Sequence, residues 1–160
     1  MFPTRVEKQG SMKGGSGMSK GDSGLFKGTG GSFAREIWNT SIVWRHIEVT
    51  QENYGGTALP RSFNIDTPRG KMWTHGNATK HMHEAILSLK EDPKLKDSNP
   101  KLYTQFILFD YWKSLNAAVN NGIKYERKIN FGKWEFIFSK PRKQGGYPVI
   151  KHACFKDLFQ

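Results

Sequence analysis

The sequence predicts an α+β domain, with helices packed on one face of an antiparallel sheet, from three observations. Residues 61–66 and 71–75 alternate polar and apolar side chains on either side of a Pro68-Arg69-Gly70 turn. Residues 78–89 and 102–119 repeat apolar side chains at helical spacing. Alternation then returns after Gly122, most plainly in Trp134, Phe136 and Phe138. A hairpin, two helices and a three-stranded meander are therefore expected in that order.

Residues 1–31 hold nine of the 17 glycines, with Ser and Lys scattered between them. Such a stretch cannot bury enough surface to offset its ordering entropy, which predicts a flexible linker over 1–31 and a folded domain over 32–160. Phe33, Ile37, Trp38 and Ile42 fit a short helical or irregular run; Ile47 and Val49 follow, and Tyr54-Gly55-Gly56-Thr57 ends the segment. The strand over 61–66, its turn and the returning strand over 71–75 make a hairpin that finishes on His75.

Asn77 can cap a helix that carries Ala78, Met82, Ala85, Ile86 and Leu89 until Asp92-Pro93 stops it. Asn99, with Pro100 as the first helical residue, opens a second helix running to about Asn121-Gly122. Leu102, Phe106 and Phe109 lie on one side of it, and Leu108, Trp112, Leu115 and Val119 on another, an arc wide enough to predict burial in the middle of the fold. Strands are expected over 123–130, 133–139 and 148–155, with a turn at Phe131-Gly132 and a basic loop over 141–146.

A length of 160 residues with 36% apolar side chains suits one domain with its own core. The 25 Lys and Arg outnumber the 14 Asp and Glu, and the formal net charge of +11 predicts association with phosphate backbones or an acidic partner, the charge alone leaving nucleic acid, an acidic protein and an anionic membrane open. Cys154 is the only cysteine, which excludes an internal disulfide or a zinc site of paired cysteines and leaves it a packing role. No stretch approaches the roughly 18 apolar residues of a spanning helix, and the N-terminus has no apolar core of a signal peptide. No membrane association is expected.

Residues 73–84, WTHGNATKHMHE, gather three of the five histidines at the junction of strand and helix. Imidazole exchanges protons near neutral pH, and a helix N-terminus offers unpaired N–H groups and a positive dipole end to a phosphate. With Asn77 as the cap, His81 lies one turn inside the helix and His75 just before it, facing a common cleft. Thr79 and Lys80 add a hydroxyl and a cation to the same anion site. His83 is two residues from His81, about 200° around the helix, so it is expected on the surface and the pair cannot readily share one metal ion. Lys80 and Glu84 read as an ordinary ion pair, and no metal or cofactor is expected.

On the last strand, His152 shares a side with Ile150 and Cys154 and points away from Lys151. Two imidazoles across a phosphodiester can act as base and acid without a metal, one taking the ribose 2′-OH proton and the other protonating the 5′ oxygen. A lysine or a backbone donor stabilises the phosphoryl charge that develops. The loop Lys140-Pro141-Arg142-Lys143, with Lys124, Arg127, Lys128 and Lys133, is expected to line the sheet edges with positive charge. Exposed members of Tyr125, Phe131 and Trp134 are candidates to stack on unpaired bases. His46 has no motif around it.

Four segments, YGGTALPRSF (54–63), HGNATKHM (75–82), KWEFIFSKPR (133–142) and PVIKHACF (148–155), resemble in order and spacing the C-terminal toxin domains of Gram-positive polymorphic toxins, in particular the LXG type. The resemblance covers roughly residues 54–156. It implies a secreted antibacterial ribonuclease neutralised by a cognate immunity protein, with a fold akin to the barnase, EndoU and RelE-like ribonucleases. Its matching polar positions are His75, Asn77, Thr79, Lys80, His81, Lys151 and His152; His83 has no counterpart, and Gly76 stands where proline is common.

The long helical LXG export region is not in this sequence, which starts within what resembles a glycine-rich connector and so reads as an isolated toxin tip or a silent cassette; the resemblance implies export as part of a larger toxin that acts in the target-cell cytoplasm. The expected activity is metal-independent RNA cleavage by His81 and His152, with His75 as a third catalytic candidate and Thr79, Lys80, Lys151, Asn77 and Arg142 holding substrate. An acidic immunity protein is the expected partner. The alternatives are a metal-dependent DNase and a basic module that binds nucleic acid without cutting it.

Overall fold

Short alternating strands separated by turn residues assemble into one sheet of six strands. The computed structural model describes residues 35, 37–92 and 99–156. The linker expected over 1–31 lies outside the described residues. The chain divides into two compact units, Met1–Ser41 and Ile42–Gln160. Within the first, the described residues from Ile37 to Thr40 are helical.

The second unit carries the sheet. After a 3-10 helix at Ser41–His46, the strands are β1 (Ile47–Val49), β2 (Phe63–Thr67), β3 (Gly70–Thr74), β4 (Lys128–Phe131), β5 (Trp134–Ser139) and β6 (Val149–Phe155). Two helices, α1 (Gly76–Lys90) and α2 (Pro100–Asn120), separate β3 from β4. The spatial order is β1-β2-β3-β6-β5-β4. All neighbours are antiparallel except β3 and β6, which run parallel, so the sheet is mixed where a purely antiparallel one was expected. The α+β class is the one the sequence predicts.

Local chemistry accounts for most of these boundaries. In β2, Phe63, Ile65 and Thr67 are buried and alternate with the half-buried Asn64 and Asp66. Thr67 Oγ1 donates to Gly70 O at 2.6 Å and accepts from the Arg69 N–H at 3.1 Å, closing the turn around Gly70, whose φ is +102°. Asn99 caps α2 by accepting from the Lys101 N–H at 2.9 Å, with Pro100 first in the helix as expected.

The unbroken buried run from Tyr103 to Leu108 makes α2 the central helix that its wide apolar arc predicts. Tyr111 from α2 packs on Phe63, Trp134 and Phe136, and its hydroxyl meets Thr74 Oγ1 at 2.8 Å, both groups fully buried. Trp134 is therefore core, not a stacking platform: it is 0% exposed and its Nε1 donates to Asp110 Oδ2 at 2.8 Å. Tyr125 and Phe131 are half-buried.

Two expectations change. The strand expected from residue 123 begins only at Lys128, with an isolated parallel bridge of Tyr125 to Phe138 before it, because Glu126 adopts φ 62° and donates its N–H to Phe138 O at 2.8 Å, bending the chain before it reaches β5's antiparallel register. The N-cap of α1 is His75, not Asn77. The ambiguous stretch before residue 53 becomes the 3-10 helix and β1. There His46 stacks on Trp112, with centroids 4.5 Å apart, and its Nδ1 lies 3.2 Å from Asp66 Oδ2.

Candidate active site

The parallel pairing of β3 and β6 extends only over Trp73–Val149 and Thr74–Ile150, after which the His75 N–H donates to Ile150 O at 3.0 Å. The chain there turns into α1, which packs extensively against β6. His81, in the second turn of α1, thereby meets His152 of β6, with ring centroids 5.2 Å apart and planes at 72°.

A register shift orients His152. Ile137 lies opposite His152, but the next residue, Phe138, lies opposite Ile150, so Lys151 is the extra residue of a β-bulge. Strict alternation would put Ile150, His152 and Cys154 on one side. The bulge instead sends Ile150 to the core with Phe138 and leaves His152 and Cys154 on the side of Ile137 and Glu135. His152 Nε2 lies 3.0 Å from Glu135 Oε2, with 25% and 21% of the two side chains exposed. A carboxylate oxygen accepts from an imidazole N–H, and in the tautomer that donates from Nε2 the other nitrogen, Nδ1, is left for exchange. His81 Nδ1 lies 3.4 Å from Glu84 Oε1 one turn along the helix.

His75 has a third environment. Its Nδ1 accepts the Asn77 N–H at 2.9 Å, which needs a lone pair on Nδ1 and places the hydrogen of the neutral ring on Nε2. Asn77 thus contributes a backbone donor where a capping side chain was expected; a histidine Nδ1 two residues earlier does the same work as the amide oxygen. Burial, and then the positive charge of Arg142, hold the His75 pKa below its ordinary value. At neutral pH His75 is an N–H donor.

The remaining predicted residues divide. Thr79 is fully buried, with its hydroxyl 2.7 Å from Arg61 O, 3.1 Å from Gly76 O and 2.9 Å from the Tyr54 hydroxyl. It ties the loop before β2 to α1 and does not face a phosphate. Lys80 and the Asn77 side chain are exposed. Lys151 pairs with Glu126 Oε1, while Glu126 Oε2 accepts from Ser139 Oγ at 2.6 Å. The lysine and then the serine hold the Glu126 pKa below its ordinary value. Arg142 is exposed and lies 5.3 Å from the centroid of the Trp73 ring.

His83 is not the surface residue expected. It is half-buried and stacks on Tyr54 with centroids 4.3 Å apart, and its Nδ1 is buried without a hydrogen-bond partner among the described residues. Its place follows from the loop before β2 folding over α1. Burial, with Glu135 and Glu84 nearby, pushes the Cys154 thiol up and keeps it neutral, in keeping with a packing role.

Sequence reasoning missed Glu135 and Glu126. Alternation does put Glu135 on the side away from Trp134 and Phe136, but its meeting with His152 depends on a register that neither strand encodes alone. Nothing local marks Glu126. Among the described residues, no group of three or more His, Cys, Asp or Glu is disposed to hold a metal ion, and no helix is long and apolar enough to cross a membrane. Compared with protein-family models and with curated proteins, the chain matches none.

Proposed function

We propose that this domain is a metal-independent endoribonuclease, the toxic tip of a larger secreted antibacterial protein. The observation that carries the reading is the His81–His152 pair, two imidazoles in contact, each beside a carboxylate, with His75 joined through its backbone N–H to Ile150 on the same strand as His152. Because the rings meet edge to face, a phosphodiester lies across the pair and not between them. One imidazole takes the ribose 2′-OH proton as the 2′ oxygen attacks phosphorus. The other, protonated, gives its proton to the departing 5′ oxygen. The P–O5′ bond breaks, leaving a 2′,3′-cyclic phosphate and a 5′-hydroxyl.

RNA carries its own nucleophile, so the protein supplies position, proton transfer and electrostatics. His75 Nε2–H donates to a non-bridging phosphoryl oxygen, and Lys80 and Arg142 attract the backbone. Lys151 joins them once a phosphate competes with Glu126 for its ammonium. The toxin assignment rests on the four resembling segments, and the +11 charge favours an acidic immunity protein as the partner.

The test is incubation of the purified protein with RNA in EDTA, followed by end-group analysis. The wild type is expected to cut and leave cyclic phosphate, while His81→Ala and His152→Ala each lose activity by about 100- to 10,000-fold. Intact RNA would end the ribonuclease reading. Nicking of DNA that chelation abolishes would favour a metal-dependent DNase.

A further inference from the structure

Trp73 belongs to none of the roles above. It lies on β3 opposite Asn64, half-exposed, and its ring contacts His75 edge to face with centroids 5.2 Å apart at 74°. The indole is held in place: Nε1 donates to Thr50 Oγ1 at 3.3 Å, and Thr50 Oγ1 is 2.6 Å from Ser62 Oγ. Across the ring lies Arg142, whose guanidinium is within cation–π reach at 5.3 Å on an otherwise exposed loop. A fixed aromatic face, an exposed planar cation over it and the His75 imidazole against the same ring form one constellation.

We infer that Trp73 and Arg142 form a stacking subsite for one unpaired nucleobase, which sets the position of the phosphate presented to His75. This rests on the proposed reading that the His81–His152 site receives a polynucleotide. The base takes the place over the indole that Arg142 occupies in the free protein, and the displaced guanidinium is left beside the adjoining phosphate. Base faces are hidden in a duplex, so the subsite selects single strands, with little preference among bases because each offers a π face. Its ligand class is therefore single-stranded nucleic acid with at least one intact base beside the bound phosphate.

The probe is a short single-stranded 2′-deoxy oligonucleotide, which lacks the 2′-OH and is not cut, its binding followed by fluorescence anisotropy. Trp73→Leu is expected to weaken binding roughly five- to a hundredfold, the range for loss of one base–aromatic stack. Trp73→Phe should stay close to wild type, and a duplex of the same sequence should respond to neither change. With the wild-type protein, an abasic position moved along the oligonucleotide should give one site of comparable loss, and Trp73→Leu should abolish that peak. A flat abasic profile, or equal losses on single strand and duplex, would overturn the subsite. The abasic scan needs no variant, so misfolding of Trp73→Leu leaves the question decidable. Trp73-dependent binding with no RNA cleavage would keep the subsite and remove the ribonuclease; cleavage with a flat profile would do the reverse.

Discussion

His75 serves the fold and the proposed chemistry at once, and two substitutions separate these duties. His75→Ala removes the acceptor for the Asn77 N–H and should lower stability by about 0.5–2 kcal/mol in chemical denaturation. His75→Asn keeps a capping side chain, so stability should return while RNA cleavage does not; full recovery of both would reduce His75 to a cap. The pH dependence follows from the direction of its shift. The folded ring has a pKa below 6.5, so the unfolded chain binds the proton more readily. The contribution is full above pH 6.5 and is lost as pH falls from there through the lowered value. Denaturation midpoints on either side of that pH should show a larger acid loss in wild type than in His75→Asn, and equal losses would refute the linkage. The chemical character of His75, His81 and His152 was legible in the sequence. The capping role was not, because histidine and asparagine can both accept from an N–H two residues on, and only the backbone path decides between them.

Turn and cap chemistry made the hairpin and α2 readable, since Pro68-Arg69-Gly70 and Asn99-Pro100 act within a few residues of themselves. The β4–β5 turn tests the same principle. Gly132 has φ +60°, and a Cβ there would stand 2.8 Å from Ser114 Oγ of α2. Gly132→Ala should therefore cost about 1–2 kcal/mol for the left-handed backbone alone, plus the displacement of Ser114. Adding Ser114→Ala should recover the second part and leave the first, as read from denaturation midpoints; complete recovery would mean that the backbone is not strained. β4 itself was misplaced because residues 123–127 alternate plausibly, yet the turn-like conformation of Glu126 interrupts them. Trp134 was ambiguous for a related reason: alternation identifies a face, but not whether that face meets α2 or solvent.

Across the whole molecule, charge and topology act separately. A net charge of +11 should make RNA binding fall with salt on a log–log scale, and Arg142→Ala should reduce that slope by about 1 if Arg142 contacts a phosphate. An unchanged slope, measured by titration at several ionic strengths, would place that side chain off the backbone. The composition alone carries the charge on which that expectation rests. What it left hidden was the meeting of β3 with β6, since no local signal says which strands of two separate hairpin systems become neighbours. Those strands are joined through only two residue pairs, Trp73–Val149 and Thr74–Ile150, between segments distant in the chain.

That narrow seam also sets a timetable. His75 and His81 lie earlier in the chain than Glu135 and His152, so neither half alone holds all the groups of the proposed centre. Closing a long intervening loop is entropically slow compared with forming a hairpin or a helix. On the proposed ribonuclease reading, cleavage should therefore return only after most secondary structure has formed during refolding, because the proposed site stays incomplete until its two halves dock.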